Sequence, residues 1–145
     1  MSSYFYFTRH GQTIWNVENK ICGATDIALT ELGHKQAIEL GECIKMGNIH
    51  IDEIIYSPLR RAADTEKHIS ETAGIPCRME IRLKEQNFGR YESTPRDGRE
   101  FAAAKMNFVD DFDGGETMLH LSQRIYNLID DIRNDKSDKI YLLVA

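Results

Sequence analysis

Three short apolar runs, Tyr4–Phe7, Ile54–Tyr56 and Ile140–Val144, are separated by stretches whose apolar residues recur at helical spacing. This alternation constrains the fold more than any other feature of the chain. A strand that is apolar at consecutive positions needs cover on both faces, and helices between successive strands are the usual cover. The pattern predicts an α/β fold of three layers, α/β/α, with a mostly parallel central sheet. Tyr4–Phe7 reads as a buried strand. Thr30 is placed to cap a helix with Ala37, Leu40, Gly41 and Ile44 on its inner face. Ser57-Pro58 reads as an N-cap followed by proline at the first helical position, opening a helix that runs to about Ala73, before Gly74 and Pro76. Arg78–Leu83 alternates Met79, Ile81 and Leu83 with charged residues and predicts a strand at the sheet periphery. Thr117 can cap a helix whose apolar face is Leu121, Ile125, Leu128, Ile129 and Ile132. The stretch from Gln86 to Gly115 is the least regular, with a short helix around Phe101–Met106 and an acidic surface loop at Asp110–Gly114.

The chain has 145 residues, a normal size for one domain, and no linker or repeat divides it, so residues 1–145 are read as a single domain. Its net charge of −5 argues against a general nucleic-acid binder or an anionic-membrane binder. No apolar run has the length of a membrane span, and the N-terminus lacks the pattern of a secretory signal. Cys22, Cys43 and Cys77 are odd in number and widely spaced, unlike a zinc ligand set or a disulfide framework. They are expected to be reduced thiols of a cytoplasmic protein, each a small core residue rather than a reactive centre.

Three groups of residues could carry chemistry, each just beyond the carboxyl end of an expected strand, where ligands bind in such sheets. Arg9-His10-Gly11 follows the first run. It combines a forked guanidinium suited to phosphate, an imidazole competent as a nucleophile near neutral pH, and a glycine that lets backbone approach a ligand. Asn16 could add a hydrogen bond. Ser57-Pro58-Leu59-Arg60-Arg61-Ala62 opens a helix, whose N-terminus favours anions, and Arg61 adds a full charge there against the macrodipole. Leu83-Lys84-Glu85-Gln86-Asn87-Phe88-Gly89 offers Glu85 as a general acid, provided burial raises its pKa. Taken singly, these groups also read as a surface turn, a solvated basic turn and a lone glutamate.

Taken together and in this order, with Thr65, Gly115-Glu116-Thr117 and Arg124, the motifs resemble the histidine phosphatase superfamily, the phosphoglycerate-mutase-like proteins. The resemblance covers essentially the whole chain. It implies that His10 attacks phosphorus and becomes phosphohistidine. Arg9 and Arg61 would clamp the phosphoryl oxygens with help from Asn16 and the Gly11 backbone, and Glu85 would protonate the leaving oxygen and later help activate water. It implies neither cofactor nor metal, and a small phosphorylated substrate rather than nucleic acid or membrane as partner. Arg60 falls at a variable position and reads as a rim charge.

The family carries a second histidine just after its last core strand, and here Leu142-Leu143-Val144-Ala145 reaches that point and ends. The resemblance therefore predicts a domain incomplete at its C-terminus, a fragment of a longer protein or a short form with weakened catalysis, in which part of the sheet is uncovered. His34, His50, His68 and His120 stand in other contexts. The short connection from Glu85 to Glu116 favours a phosphomonoester phosphatase over a mutase, in which a longer insertion closes the site. A phosphoglycerate-mutase-type phosphoryl transfer and a phosphate-binding pseudoenzyme are the alternatives.

Overall fold

A computed structural model describes residues 4–145, leaving the first three residues of the expected domain outside the described ones. The elements in chain order are β1 (Tyr4–Thr8), α1 (Ile14–Val17), α2 (Glu31–Met46), β2 (Glu53–Tyr56), α3 (Arg60–Ala73), β3 (Cys77–Met79), α4 (Arg99–Lys105), α5 (Met118–Asn134) and β4 (Ile140–Val144). Among the described residues the sheet has the order β1-β4-β2-β3, with every pairing parallel.

The side-chain alternation of β2 and β4 builds two cores. Ile54, Leu142 and Val144 face α2 and α3 and pack with Ile44, Ala62 and Ile69. Ile55, Tyr141 and Leu143 face the other way and pack with Leu83, Leu128 and Ile132. Each of these aliphatic side chains contributes roughly 1.5–3 kcal/mol on burial, so the two central strands anchor the fold. A third cluster, Ile21, Tyr91, Phe101 and Phe112, lies outside the sheet. It gives the irregular stretch after Gln86 its own small core.

The expected layers are present, with four local differences. β1 is not a buried strand: it pairs with β4 alone, and Tyr4, Tyr6 and Phe7 are 51%, 43% and 59% exposed. These open aromatics are the uncovered part of the sheet that the resemblance predicts. The strand expected over Arg78–Leu83 covers only Cys77–Met79 and then turns into a 3-10 turn at Ile81–Leu83. Glu80 causes the break. Its carboxylate accepts the Arg82 backbone N–H at 3.0 Å and the Arg82 guanidinium at 2.7 Å, which swings Leu83 under α5.

Ser57 does not cap α3. The helix begins at Arg60, and the Arg60 N–H is capped from a distance by the Asp26 carboxylate at 2.7 Å, while Ser57 Oγ accepts the Leu59 N–H at 3.3 Å. A tertiary cap replaces the local one. The helix does end at Ala73, where Gly74 takes the left-handed conformation at φ 69°. Finally, the cysteines are not core residues: Cys22 is half-buried, and Cys43 and Cys77 are exposed. Thr30 and Thr117 cap α2 and α5 as expected, and α4 falls within two residues of its expected place. No helix among the described residues is long and apolar enough to cross a membrane.

Candidate active site

Parallel strands deliver their C-terminal ends to one edge of the sheet. The His10 N–H donates to the Ala145 carbonyl at 2.9 Å, and the Ser57 N–H donates to the Val144 carbonyl at 2.9 Å. The segments that leave β1, β2 and β4 therefore start side by side.

The loop after β1 is fixed from two helices. Gly11 N–H donates to Thr65 Oγ1 at 3.1 Å, and that buried hydroxyl donates to the Arg61 carbonyl at 2.7 Å. On the other side, a Cβ at Gly11 would lie 2.3 Å from the Gly33 carbonyl oxygen. Glycine is required here because the loop presses on the first turn of α2. The Gln12 carbonyl accepts the Thr30 N–H at 2.9 Å and completes this contact.

His10 emerges with a defined tautomer. Its Nδ1 lies 2.7 Å from the Gly11 carbonyl oxygen, an obligate acceptor, so Nδ1 carries the proton and Nε2 keeps the lone pair. Burial lowers the His10 pKa below its ordinary value. The Gly11 carbonyl opposes this shift, the Arg61 and Arg9 charges support it, and the Glu85 charge opposes it. The net effect keeps a neutral, nucleophile-competent imidazole at neutral pH.

Asn16 is oriented by its helix cap. Its Oδ1 accepts the Thr13 N–H at 2.8 Å and the Thr13 hydroxyl at 2.9 Å, and the Asn16 N–H returns a bond to Thr13 Oγ1 at 3.2 Å. The carboxamide NH₂ is thereby left as the free donor. Arg9, His10, Gly11 and Asn16 wall one cavity of about 250 Å³, joined by Gln36 and Arg96. The Arg9 guanidinium is exposed and also borders the neighbouring cavity of about 320 Å³ beside Cys22 and Phe88.

Arg61 is 2% exposed. Its Nη1 donates to the Thr25 carbonyl at 2.8 Å and its Nη2 to the Gly23 carbonyl at 2.5 Å, which fixes the guanidinium plane; Arg61 lines none of the cavities that Arg9, His10 and Glu85 border, and it reaches His10 through its charge. Ala24, between those two carbonyls, lines a larger cavity of about 540 Å³ together with Glu85. Glu85 is exposed rather than buried as expected, and its Oε1 accepts the Gln86 N–H at 2.8 Å. Glu85 and His10 thus wall different cavities, linked through the Gly23–Thr25 segment that Arg61 holds and through the charge each presents to the other.

Glu116 closes the far wall of this larger cavity. Burial would raise its pKa, but hydrogen bonds from Arg124 and His120 outweigh that and hold it below the usual carboxylate value. The remaining histidines do not wall the His10 cavity. His34 and His68 hydrogen-bond each other at 2.9 Å between α2 and α3, and His50 pairs with Asp52. Among the described residues no cluster of three or more metal-ligating side chains occurs.

The sequence reading missed Arg96, which borders two of the cavities that Arg9 borders, one of them shared with His10. It lies in the irregular stretch where no periodicity or motif marks it. The Lys20–Pro95 bridge and a 3.1 Å bond from Arg96 Nε to the Lys20 carbonyl bring it to the site.

Known proteins resemble this chain in sequence and in fold. The family model of the histidine phosphatase superfamily (branch 1) matches residues 5–145. The probable phosphoglycerate mutase GpmB of Erwinia tasmaniensis is 32% identical over 132 residues, which is 86% of this chain and 60% of that protein. The 2,3-bisphosphoglycerate-dependent phosphoglycerate mutase of Staphylococcus carnosus is 32% identical over 123 residues, covering 83% of this chain and 49% of its own. The chain thus spans about half to three-fifths of the length of these relatives. Among solved structures, a mycobacterial glucosyl-3-phosphoglycerate phosphatase with VO3 superposes with a TM-score of 0.83 at 29% identity, over 96% of this chain and 73% of that one. With a family model that runs from within β1 to beyond β4, the chain belongs to the histidine phosphatase superfamily.

Proposed function

We propose that this chain carries the catalytic face of a phosphomonoester phosphatase that works through a phosphohistidine on His10. The observation that carries the reading is the His10 tautomer. A lone pair is fixed on Nε2 by the Gly11 carbonyl, in an imidazole held neutral, within the field of two guanidinium groups. Nε2 attacks phosphorus in line while the phosphoryl oxygens sit between Arg9, Arg61 and the Asn16 NH₂, which neutralise the charge as the P–O bond breaks. Glu85 gives its proton to the leaving oxygen. Water then attacks the phosphohistidine, loses its proton to Glu85, and releases inorganic phosphate. The residues supply nucleophile, clamp and acid, so the scheme uses no metal. The substrate is a small phosphorylated molecule, and the expected location is the cytoplasm.

Hydrolysis is favoured over mutase transfer because the segment between Glu85 and Glu116 is short and leaves Glu85 exposed, open to water. The test is turnover of p-nitrophenyl phosphate, followed by quenching and analysis of the protein for acid-labile, base-stable phosphate on His10. Turnover with labelled His10 supports the reading. Turnover with no such label rejects the covalent route, and phosphate binding without turnover rejects the phosphatase in favour of a binding protein.

A further inference from the structure

Two helices grip the loop that carries His10, and each does so close to a histidine of its own. From α2, Gly33 packs so tightly on the loop that a Cβ added to it would lie 2.1 Å from the Gln12 carbonyl oxygen, and Gln36 Oε1 accepts the Gln12 N–H at 2.9 Å. From α3, Thr65 Oγ1 accepts the Gly11 N–H at 3.1 Å. His34 directly follows Gly33, and His68 lies about one helical turn beyond Thr65. His34 Nδ1 and His68 Nε2 are 2.9 Å apart with the rings edge to face, so one imidazole donates its N–H to the lone pair of the other.

Among the described residues this is the one side-chain hydrogen bond between α2 and α3. Apolar packing fixes the far ends of the two helices, where Ile44 shares a core with Ile69, Ala73 and Ile75. Near the loop the inner face of α2 is small, Gly33 and Ala37, and a cavity of about 190 Å³ lies among Ala37, Leu40, Thr65, His10 and Gly11. Side chains that leave a space unfilled do not set its width. The loop, in contrast, keeps both of its grips at only one spacing of the helices. The Gly33 contact is already at its closest approach, and the Thr65 bond is lost within a few tenths of an ångström of lengthening.

We infer that His34 and His68 are positioning residues for the reaction: their hydrogen bond sets the spacing of α2 and α3 at the site end and thereby aims His10. This inference rests on the phosphatase reading and adds to it the part of the chain that holds the nucleophile in line. Neither imidazole lines a cavity that His10 borders, so neither touches the reacting atoms. They act through Gly33 and Thr65 on Gly11, whose carbonyl fixes the His10 tautomer.

The experiment compares the wild-type chain with His34→Leu, His68→Leu and the pair His34→Asn with His68→Gln, whose carboxamides stand near the places of Nδ1 and Nε2 and can bond each other. The first readout needs no turnover: native-state hydrogen exchange of the Gly11 amide, measured against the Ile54 amide, which donates to the Pro76 carbonyl in the core. Either leucine variant should speed Gly11 exchange relative to Ile54 by roughly threefold to tenfold, and the Asn–Gln pair should restore it. The second readout is p-nitrophenyl phosphate kinetics well below Tm. The leucine variants should lower kcat by a roughly similar factor with KM unchanged, and His68→Leu combined with Thr65→Val should cost less than the product of the two losses, since both act on one contact. A lower Tm with Gly11 exchange and kcat unchanged makes the pair a structural contact only and overturns the inference, as do losses that multiply independently. Gly11 exchange that responds in a chain without turnover sinks the phosphatase alone; turnover with Gly11 unresponsive sinks the positioning pair alone.

Discussion

Thr65→Val removes one hydroxyl from beneath the candidate nucleophile while keeping the side-chain shape. In the structure that hydroxyl is 1% exposed with its residue, accepts the Gly11 N–H at 3.1 Å and donates to the Arg61 carbonyl at 2.7 Å. The helix carbonyl retains its own bond in α3, so the substitution chiefly orphans the Gly11 N–H. An unsatisfied buried donor costs roughly 1–3 kcal/mol. For a chain of 145 residues this converts to a fall in Tm of roughly 3–10 °C. Gly11 also supplies the carbonyl that sets the His10 tautomer, so a shifted loop misaims Nε2, and kcat should drop roughly tenfold with little change in KM. Thr65→Ser keeps the hydroxyl and should recover most of kcat. Thermal unfolding followed by steady-state kinetics measures both effects. If Thr65→Val matches the wild type within about 0.5 kcal/mol and in kcat, the hydroxyl does not hold the loop and the positioning argument is wrong.

Other outcomes follow from the same geometry. His10→Gln should abolish turnover and histidine phosphorylation while unfolding at the wild-type temperature or above, as checked by kinetics and circular dichroism; retained turnover removes His10 as nucleophile. Arg61→Lys cannot reach both the Gly23 and Thr25 carbonyls and should cost roughly 3 kcal/mol in urea unfolding together with weaker phosphate binding, whereas unchanged values would place Arg61 outside the clamp. Gly11→Ala forces a Cβ to within 2.3 Å of the Gly33 carbonyl oxygen and should destabilise by roughly 1–3 kcal/mol, visible as a lower urea midpoint. Burial lowers the folded pKa of His10, so between that value and the ordinary one the unfolded chain binds the extra proton. The His10 contribution to stability is therefore full above the ordinary histidine value and is lost as pH falls through the folded one, and kcat/KM falls as well as pH drops through the folded value and Nε2 is protonated; a His10→Gln chain with an identical stability-against-pH curve would contradict this.

The layered plan was legible because strand runs and helix periodicity are local. Ala37, Gly41 and Ile44 sit on the inner face of α2, and Leu128 and Ile132 on that of α5, as their spacing demands. What local pattern cannot encode is strand order. Tyr4–Phe7 carries the hydrophobicity of a central strand, yet among the described residues it pairs with β4 alone. Alternation from Met79 to Leu83 likewise reads as a strand, until the Glu80 carboxylate finds Arg82 and bends the backbone away from β2. The site divides in the same way. His10, Gly11 and Asn16 lie within one loop and helix turn, so their motif carries their geometry. Glu85 carries a motif too, but its motif does not tell that it lines a cavity with Ala24, apart from the one His10 lines.

Arg61 shows how a site can be assembled against local preference. A cation in the first turn of a helix opposes the macrodipole by roughly 0.3–1 kcal/mol, and burying its charge costs more. Here two backbone carbonyls from another segment accept from the guanidinium, and the cap of the same helix comes from Asp26 in that segment. Residues 23–26 therefore do two jobs: they neutralise the unfavourable placement of Arg61 and tie the start of α3 to the cavity wall. For an anion brought to the start of α3, helix dipole and guanidinium would add rather than cancel. A chain with net charge −5 can in this way keep a buried guanidinium at the start of a helix. The segment that makes it possible has no motif of its own, and its role emerges only once the carbonyls of Gly23 and Thr25 are seen facing the arginine.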